Sequence, residues 1–140
     1  MFPEPIILEP TVKTPEVIFD KENNIFQIRG RSISENSHEF FLPIKDWLTE
    51  YFKHPNKLTK LILNFDYLNS SSAIQISNII NMFEKNYKKN IDVLLVWQYE
   101  RGDELIENTG IELNIISDVP FVTEIFEPEE FEKFDFDFDD

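Results

Sequence analysis

Three hydroxyls in a row, Ser70, Ser71 and Ser72, follow Asn69 and are the sharpest chemical feature of this chain. The stretch before them, Lys57 to Leu68, reads as a strand rich in Leu, Ile, Phe and Tyr. After them Ala73, Ile76, Ile80, Phe83 and Tyr87 fall three and four apart, the mark of an amphipathic helix. The serines therefore stand at a strand-to-helix turn. A helix start has unpaired backbone N–H groups and the positive end of the dipole, so it favours an anion. Two uses follow. One serine can simply N-cap the helix. Another can accept a phosphate, which would set about two negative charges on an exposed turn. Both can hold at once.

Other reactive side chains are sparse. Asp66, near the end of the same strand, is the one carboxylate placed as in α/β active sites; its plainer reading is a polar residue beside the serine turn. His38 lies in the first turn of a helix and His54 near its end, and both read as surface residues. There is no cysteine, so no disulfide and no thiolate metal site. HExxH, CxxC, GxSxG and Walker-type motifs are missing, and three glycines are too few for a phosphate cradle. These residues argue against an enzyme, and no cofactor or metal is expected. The competing enzyme reading, a small α/β enzyme, rests on Asp66 near the serine turn. If the strand ending at Leu68 lies beside the one ending at Tyr99, then Tyr67, Leu68, Asn69, Ser71 and Ser72 share an edge with Trp97 and Tyr99. That edge suits a protein partner, since Trp and Tyr are common interface anchors; core packing is the other reading of Trp97.

The elements that must position this edge follow from the patterning. Residues 1–13 form an extended, Pro-rich lead-in. Pro15–Asp20, a KENN turn and Ile25–Ile33 read as a hairpin. A helix over about 37–53 follows, with Asn36 and Glu39 in a capping pattern and a bend expected near Pro43. Beyond the serine turn the helix should run to about Lys89. Ile91–Tyr99 reads as a central strand covered on both faces. A weaker helix spans Glu104–Ser117, with Gly110 unfavourable inside it, and Phe121–Phe126 is a last short strand. The order β-β-α-β-α-β-α-β predicts a single α/β domain. Its sheet is mixed, with an N-terminal hairpin and three helices.

The formal net charge is −14, and half of it falls in residues 127–140, which hold eight acids against Lys133. This balance argues against nucleic acid or an anionic membrane and suits a basic protein surface. The last residues alternate Phe with Asp and read as a disordered acidic tail, or as a strip through which the chain acts as a constitutive interaction module. The N-terminus lacks a signal-peptide pattern and no apolar run is long enough for a membrane span, so a cytoplasmic protein is expected.

Five segments together resemble the SiaC family of bacterial regulatory phosphoproteins. They are TPEVIFD (Thr14–Asp20), IRGRSISENSHEFFLPIKDWL (Ile28–Leu48), FDYLNSSS (Phe65–Ser72), VLLVWQYE (Val93–Glu100) and an acidic helix leading to VPF (Val119–Phe121). They cover about residues 14–126, between the lead-in and the tail at 127–140. The resemblance implies a STAS-like fold, similar to anti-sigma-factor antagonists, and a partner-switching pathway. It implies a Ser/Thr kinase of the anti-sigma-factor type and a PP2C-type phosphatase. It also implies an effector, a GGDEF diguanylate cyclase activated by the unphosphorylated form, which links the protein to cyclic di-GMP and biofilm formation. By its place in the motif the phosphoacceptor is Ser70, where the family commonly has Thr, with Ser71 the alternative.

Overall fold

The computed structural model describes residues 2–127. Beyond Glu127, the acidic tail expected at 127–140 lies outside the described residues. Within them one six-stranded sheet runs in the order of the sequence. Ile6–Leu8 (β1) pairs antiparallel with Glu16–Asp20 (β2), which pairs antiparallel with Ile25–Ser32 (β3). Then come Ser37–Tyr51 (α1), Thr59–Leu68 (β4), Ser70–Tyr87 (α2), Val93–Glu100 (β5), Glu104–Ile115 (α3) and Phe121–Phe126 (β6). Strands β3 to β6 are parallel.

The hairpin of β2 and β3 turns where Asn24 takes a left-handed φ of 56°, which Asn tolerates. Asp20 holds the turn by accepting hydrogen bonds from the Asn23 backbone N–H and side-chain amide. Those bonds, the side-chain one foremost, hold its carboxyl below the usual value. The lead-in contributes β1, which the sequence pattern did not announce. It is anchored further by Trp47, whose indole N–H donates to the Glu4 carbonyl at 2.6 Å.

Each parallel crossover steps to the next strand in one direction. Right-handed connections then put all three helices on one face of the sheet. Leu61, Leu63 and Phe65 of β4 and Val93, Leu95 and Trp97 of β5 point to that face and form one core with the helices. The opposite face carries a polar ladder, in which Asn64 donates to Gln98 and Gln98 donates to Glu124. Cover on both faces of β5 was expected and is not found. Its second apolar row is instead shielded within the sheet: Val96 sits in register between Ile62 and Val122 and is buried.

Helix α1 runs through Pro43 as one element. Asn36 is its N-cap residue, but the expected capping bond does not form. Its backbone (φ −100°, ψ 40°) lies outside the extended region from which a cap side chain reaches the helix amides. The helix is held instead by aromatic packing. Trp47 stacks on Tyr51 one turn later at 5.3 Å, and both lie against Phe26. The Gly110 that weakens α3 as a sequence has a packing reason. A Cβ there would stand 2.3 Å from the Trp97 ring, so glycine lets the helix lie directly on the indole.

Candidate functional site

The serine turn sits at the C-terminal edge of the parallel strands, between β4 and α2. Asn69, in extended conformation, is the N-cap, and its side-chain oxygen accepts the Ser72 backbone N–H at 2.9 Å. A capping serine was one of two readings of the sequence; the asparagine before them takes that role. Its own N–H donates to the Ser32 carbonyl at 3.0 Å, which ties the turn to β3.

The three hydroxyls then diverge with the helical phase. Ser72 is fully buried and accepts a hydrogen bond from the Ser32 hydroxyl at 2.8 Å. Ser71 is half-buried, and its hydroxyl lies 3.4 Å from the Ser34 carbonyl and 3.3 Å from the Asn69 side-chain oxygen. Ser70 is exposed, and among the described residues its hydroxyl has no hydrogen-bond partner. The first turn of α2 contains no acidic residue, whereas α1 has Glu39 there and α3 has Glu104 and Glu107. The positive end of the α2 dipole is therefore not offset by a carboxylate of its own first turn.

Around Ser70 the surface is apolar with an acidic border. Tyr67 is 58% exposed, and the Arg31 guanidinium lies over its ring at 4.7 Å. Arg31 also stands 4.0 Å from the Asp66 carboxylate. Ile74, one turn after Ser70 on the same side of α2, is 61% exposed. Between the β4–α2 turn and the start of α3 runs a groove of about 540 Å³, bordered by Tyr67, Leu68, Asn69 and Leu105, with Asp66, Glu100 and Asp103 along it.

Trp97 was a candidate for partner contact and is not one in this conformation. It is fully buried beneath α3, and its indole N–H donates to the Ile106 carbonyl at 2.9 Å. Ser72 is likewise interior and unavailable to a partner. Tyr99 is half-buried and its hydroxyl donates to Glu107. Desolvation first, and then Glu107, push its hydroxyl pKa up. Tyr67, Leu68, Asn69 and Ser71 remain at the edge with Ser70.

Ile74 and Leu105 are exposed apolar residues at this edge that no motif marks. A signal existed for each. Ile74 is four residues from Ser70, hence on its face, and Leu105–Ile106 is an apolar pair of which one member alone can face the core. Asp66 is exposed and borders the groove, but none of the serines lines that groove with it. The two histidines are exposed, His38 in the first turn of α1 and His54 three residues past its end. Among the described residues no cluster of His, Cys, Asp or Glu is placed to hold a metal ion. No helix among them is long and apolar enough to cross a membrane.

This arrangement, a single mixed α/β domain with three helices on one sheet face, recurs in solved structures. The crystal structure of apo-SiaC from Pseudomonas aeruginosa superposes with a TM-score of 0.80 at 25% identity, covering 86% of this chain and 98% of that one. A chain in the crystal structure of the diguanylate cyclase SiaD in complex with its activator SiaC, from the same species, gives 0.81 at 26% identity, covering 86% and 99%. An uncharacterized protein of P. aeruginosa strain UCBPP-PA14 is 28% identical over 111 residues, 79% of this chain and 88% of that protein. The family model described as SiaC family regulatory phosphoprotein matches residues 8–125, and the chain belongs to that family.

Proposed function

We propose that this chain is the switch component of a partner-switching pathway, with Ser70 as its phosphoacceptor and Ser71 as the alternative. A Ser/Thr kinase of the anti-sigma-factor type adds the phosphate and a PP2C-type phosphatase removes it. The unphosphorylated form binds and activates a GGDEF diguanylate cyclase, a reading supported by the solved complex of the diguanylate cyclase SiaD with its activator SiaC. The chain itself performs no catalysis.

One observation carries the choice of residue. Of three adjacent hydroxyls, Ser70 alone is exposed and unengaged among the described residues, at a helix start with no first-turn carboxylate. A phosphate there gains from the dipole and the nearby backbone amides. It also brings about two charges into a surface formed by Tyr67 and Ile74 and bordered by Asp66. A partner that desolvates this surface would have to strip water from a dianion, which is costly without a paired cation. The same modification is thus compatible with the fold and hostile to the complex.

The test uses an anti-sigma-factor-type kinase and a GGDEF diguanylate cyclase from the organism that carries this chain. Ser70→Ala should fold normally, take up no phosphate in intact-mass analysis and still stimulate the cyclase. Ser70→Asp should lose stimulation. If Ser70→Ala is phosphorylated as fully as the native chain, the assignment to Ser70 fails and Ser71→Ala becomes the variant of interest.

A further inference from the structure

The sheet ends sideways in two outer strands, β1 and β6, and among the described residues nothing pairs with the outer side of either. Such a row of open backbone groups recruits another strand unless it is guarded. β1 is guarded: it is three residues long, with Pro5 before it and Pro10 after it. β6 is not. Its sequence, FVTEIF, is rich in β-formers, holds no Pro, Lys or Arg, and runs beside β5 without a bulge. Leu95 donates to the Pro120 carbonyl, so in this parallel ladder Phe121, Thr123 and Ile125 turn both their N–H and C=O groups outward. Apolar surface flanks that side. Ile125 is 45% exposed on the helix face of the sheet and Val122 is 45% exposed on the other. Leu113 and Ile116 of α3 line a cleft shared with α2, so the opposite flank of α3, with exposed Ile111, overlooks β6.

We infer that β6 is an interface between two copies of this chain, which join antiparallel through their Phe121–Phe126 strands about a two-fold axis at Thr123 and continue one sheet through both. Register favours a second copy over any other strand. Centred on Thr123, the outward groups of Phe121, Thr123 and Ile125 meet those of Ile125, Thr123 and Phe121 in the second copy, with none left over. Phe121 then lies beside Ile125 on the helix face, and Val122 beside Glu124 on the other. Centring the axis on Glu124 would set that carboxylate against itself, so charge selects the register. The ends of the strand agree. Arg101 and Glu127 pair at its upper end, and Lys88 and Asp118 pair near its start. Antiparallel joining brings the two exposed pairs together at each end of the seam, two bases against two acids, although the whole chain stands at −14. The serine turns of such a pair point opposite ways and stay open, so the inference is independent of the switch reading.

The test is sedimentation of the full-length chain as its concentration rises from about 1 μM to about 1 mM, the affinity range of small interfaces. The native chain should pass from monomer to dimer, and added salt should strengthen the dimer by screening two acidic chains. Thr123→Lys and Thr123→Glu should each weaken association about tenfold by setting like charges opposite, and an equimolar mixture of the two should restore it. Ile7→Lys, on the other outer strand, and Ser70→Asp should leave it within about twofold of the native chain. The chain has no cysteine, so Thr123→Cys introduces a single thiol. Its Cα would lie about 5.5 Å from that of its mate, within disulfide reach, and air oxidation should link two chains. Val122→Cys, which would face Glu124, should not link. A native chain that stays monomeric over the whole range would overturn the inference. So would a dimer that withstands Thr123→Lys, no recovery in the Lys–Glu mixture, or Val122→Cys linking as readily as Thr123→Cys.

Discussion

Helices α2 and α3 begin side by side at the same edge of the sheet, and position for position their first turns are built alike. Asn69 and Asp103 are the caps, and each accepts the backbone N–H three residues on, from Ser72 and Ile106. Those third residues, Ser72 and Ile106, are both buried. The first helical residues, Ser70 and Glu104, are both exposed. The difference is charge. The α3 start carries Asp103, Glu104 and Glu107, while the α2 start carries only neutral groups. One helix start has its anions covalently supplied, and the other has a hydroxyl where its neighbour has a carboxylate. A phosphate on Ser70 would therefore place charge where this fold already accommodates it one helix away.

The largest effect should come from breaking what the two buried third positions do. Ile106 is held by apolar packing, but Ser72 is held by its bond to Ser32. Ser72→Ala leaves the Ser32 hydroxyl buried without a partner, and chemical denaturation should show a loss of about 1–3 kcal/mol. Removing both hydroxyls should cost less than the sum of the single losses, because the double variant has no orphan. Strict additivity would mean the hydroxyl pair is not what anchors α2 to β3.

The caps should separate next. Asp103→Ala and Asn69→Ala each remove an acceptor from a helix amide, with an expected cost of about 0.5–2 kcal/mol. The aspartate should cost more, by a few tenths to about 1 kcal/mol, because its charge also opposes the α3 dipole. That excess should shrink as salt is raised, while the common part stays. Equal costs at low salt would show that the two starts do not differ electrostatically.

Much of this pair of helix starts was legible from residue types, and what was not has physical causes. Strands β2 to β6 and the three helices show as periods of two and of three to four because each has one buried face. The three residues of β1 lie among prolines and are ordered by pairing with β2, which no local pattern encodes. Cover of β5 depends on the direction of the crossovers, so an apolar run on both faces misled: Val96 is buried by its neighbours in the sheet. Trp97 at a strand end looks the same whether α3 covers it or not, although Gly110 marked the close approach. The serine turn was readable as a helix start with spare hydroxyls. Which hydroxyl stays outside is set by where the cap falls, and choosing Asn69 over a serine rotates the assignment of all three.

The smallest effect tests the comparison most directly. Ser70→Asp writes into α2 the kind of residue that α3 already has at that position. A carboxylate in the first turn should stabilise the helix, so the variant should be more stable than the native chain by about 0.3–1 kcal/mol at low salt. Ser70→Lys should lose a similar amount, and both differences should fade at high salt. Glu104→Ser makes the reverse exchange in α3 and should lose about what Ser70→Asp gains, within the range for such charges. A Ser70→Asp chain that is more stable yet inactive toward its partner separates the two consequences of the charge: favourable to the helix that carries it, unfavourable to the surface around it. A destabilised Ser70→Asp chain would mean that Asp66, the nearest acid along the chain, outweighs the dipole, and the likeness of the two helix starts would then stop at their geometry.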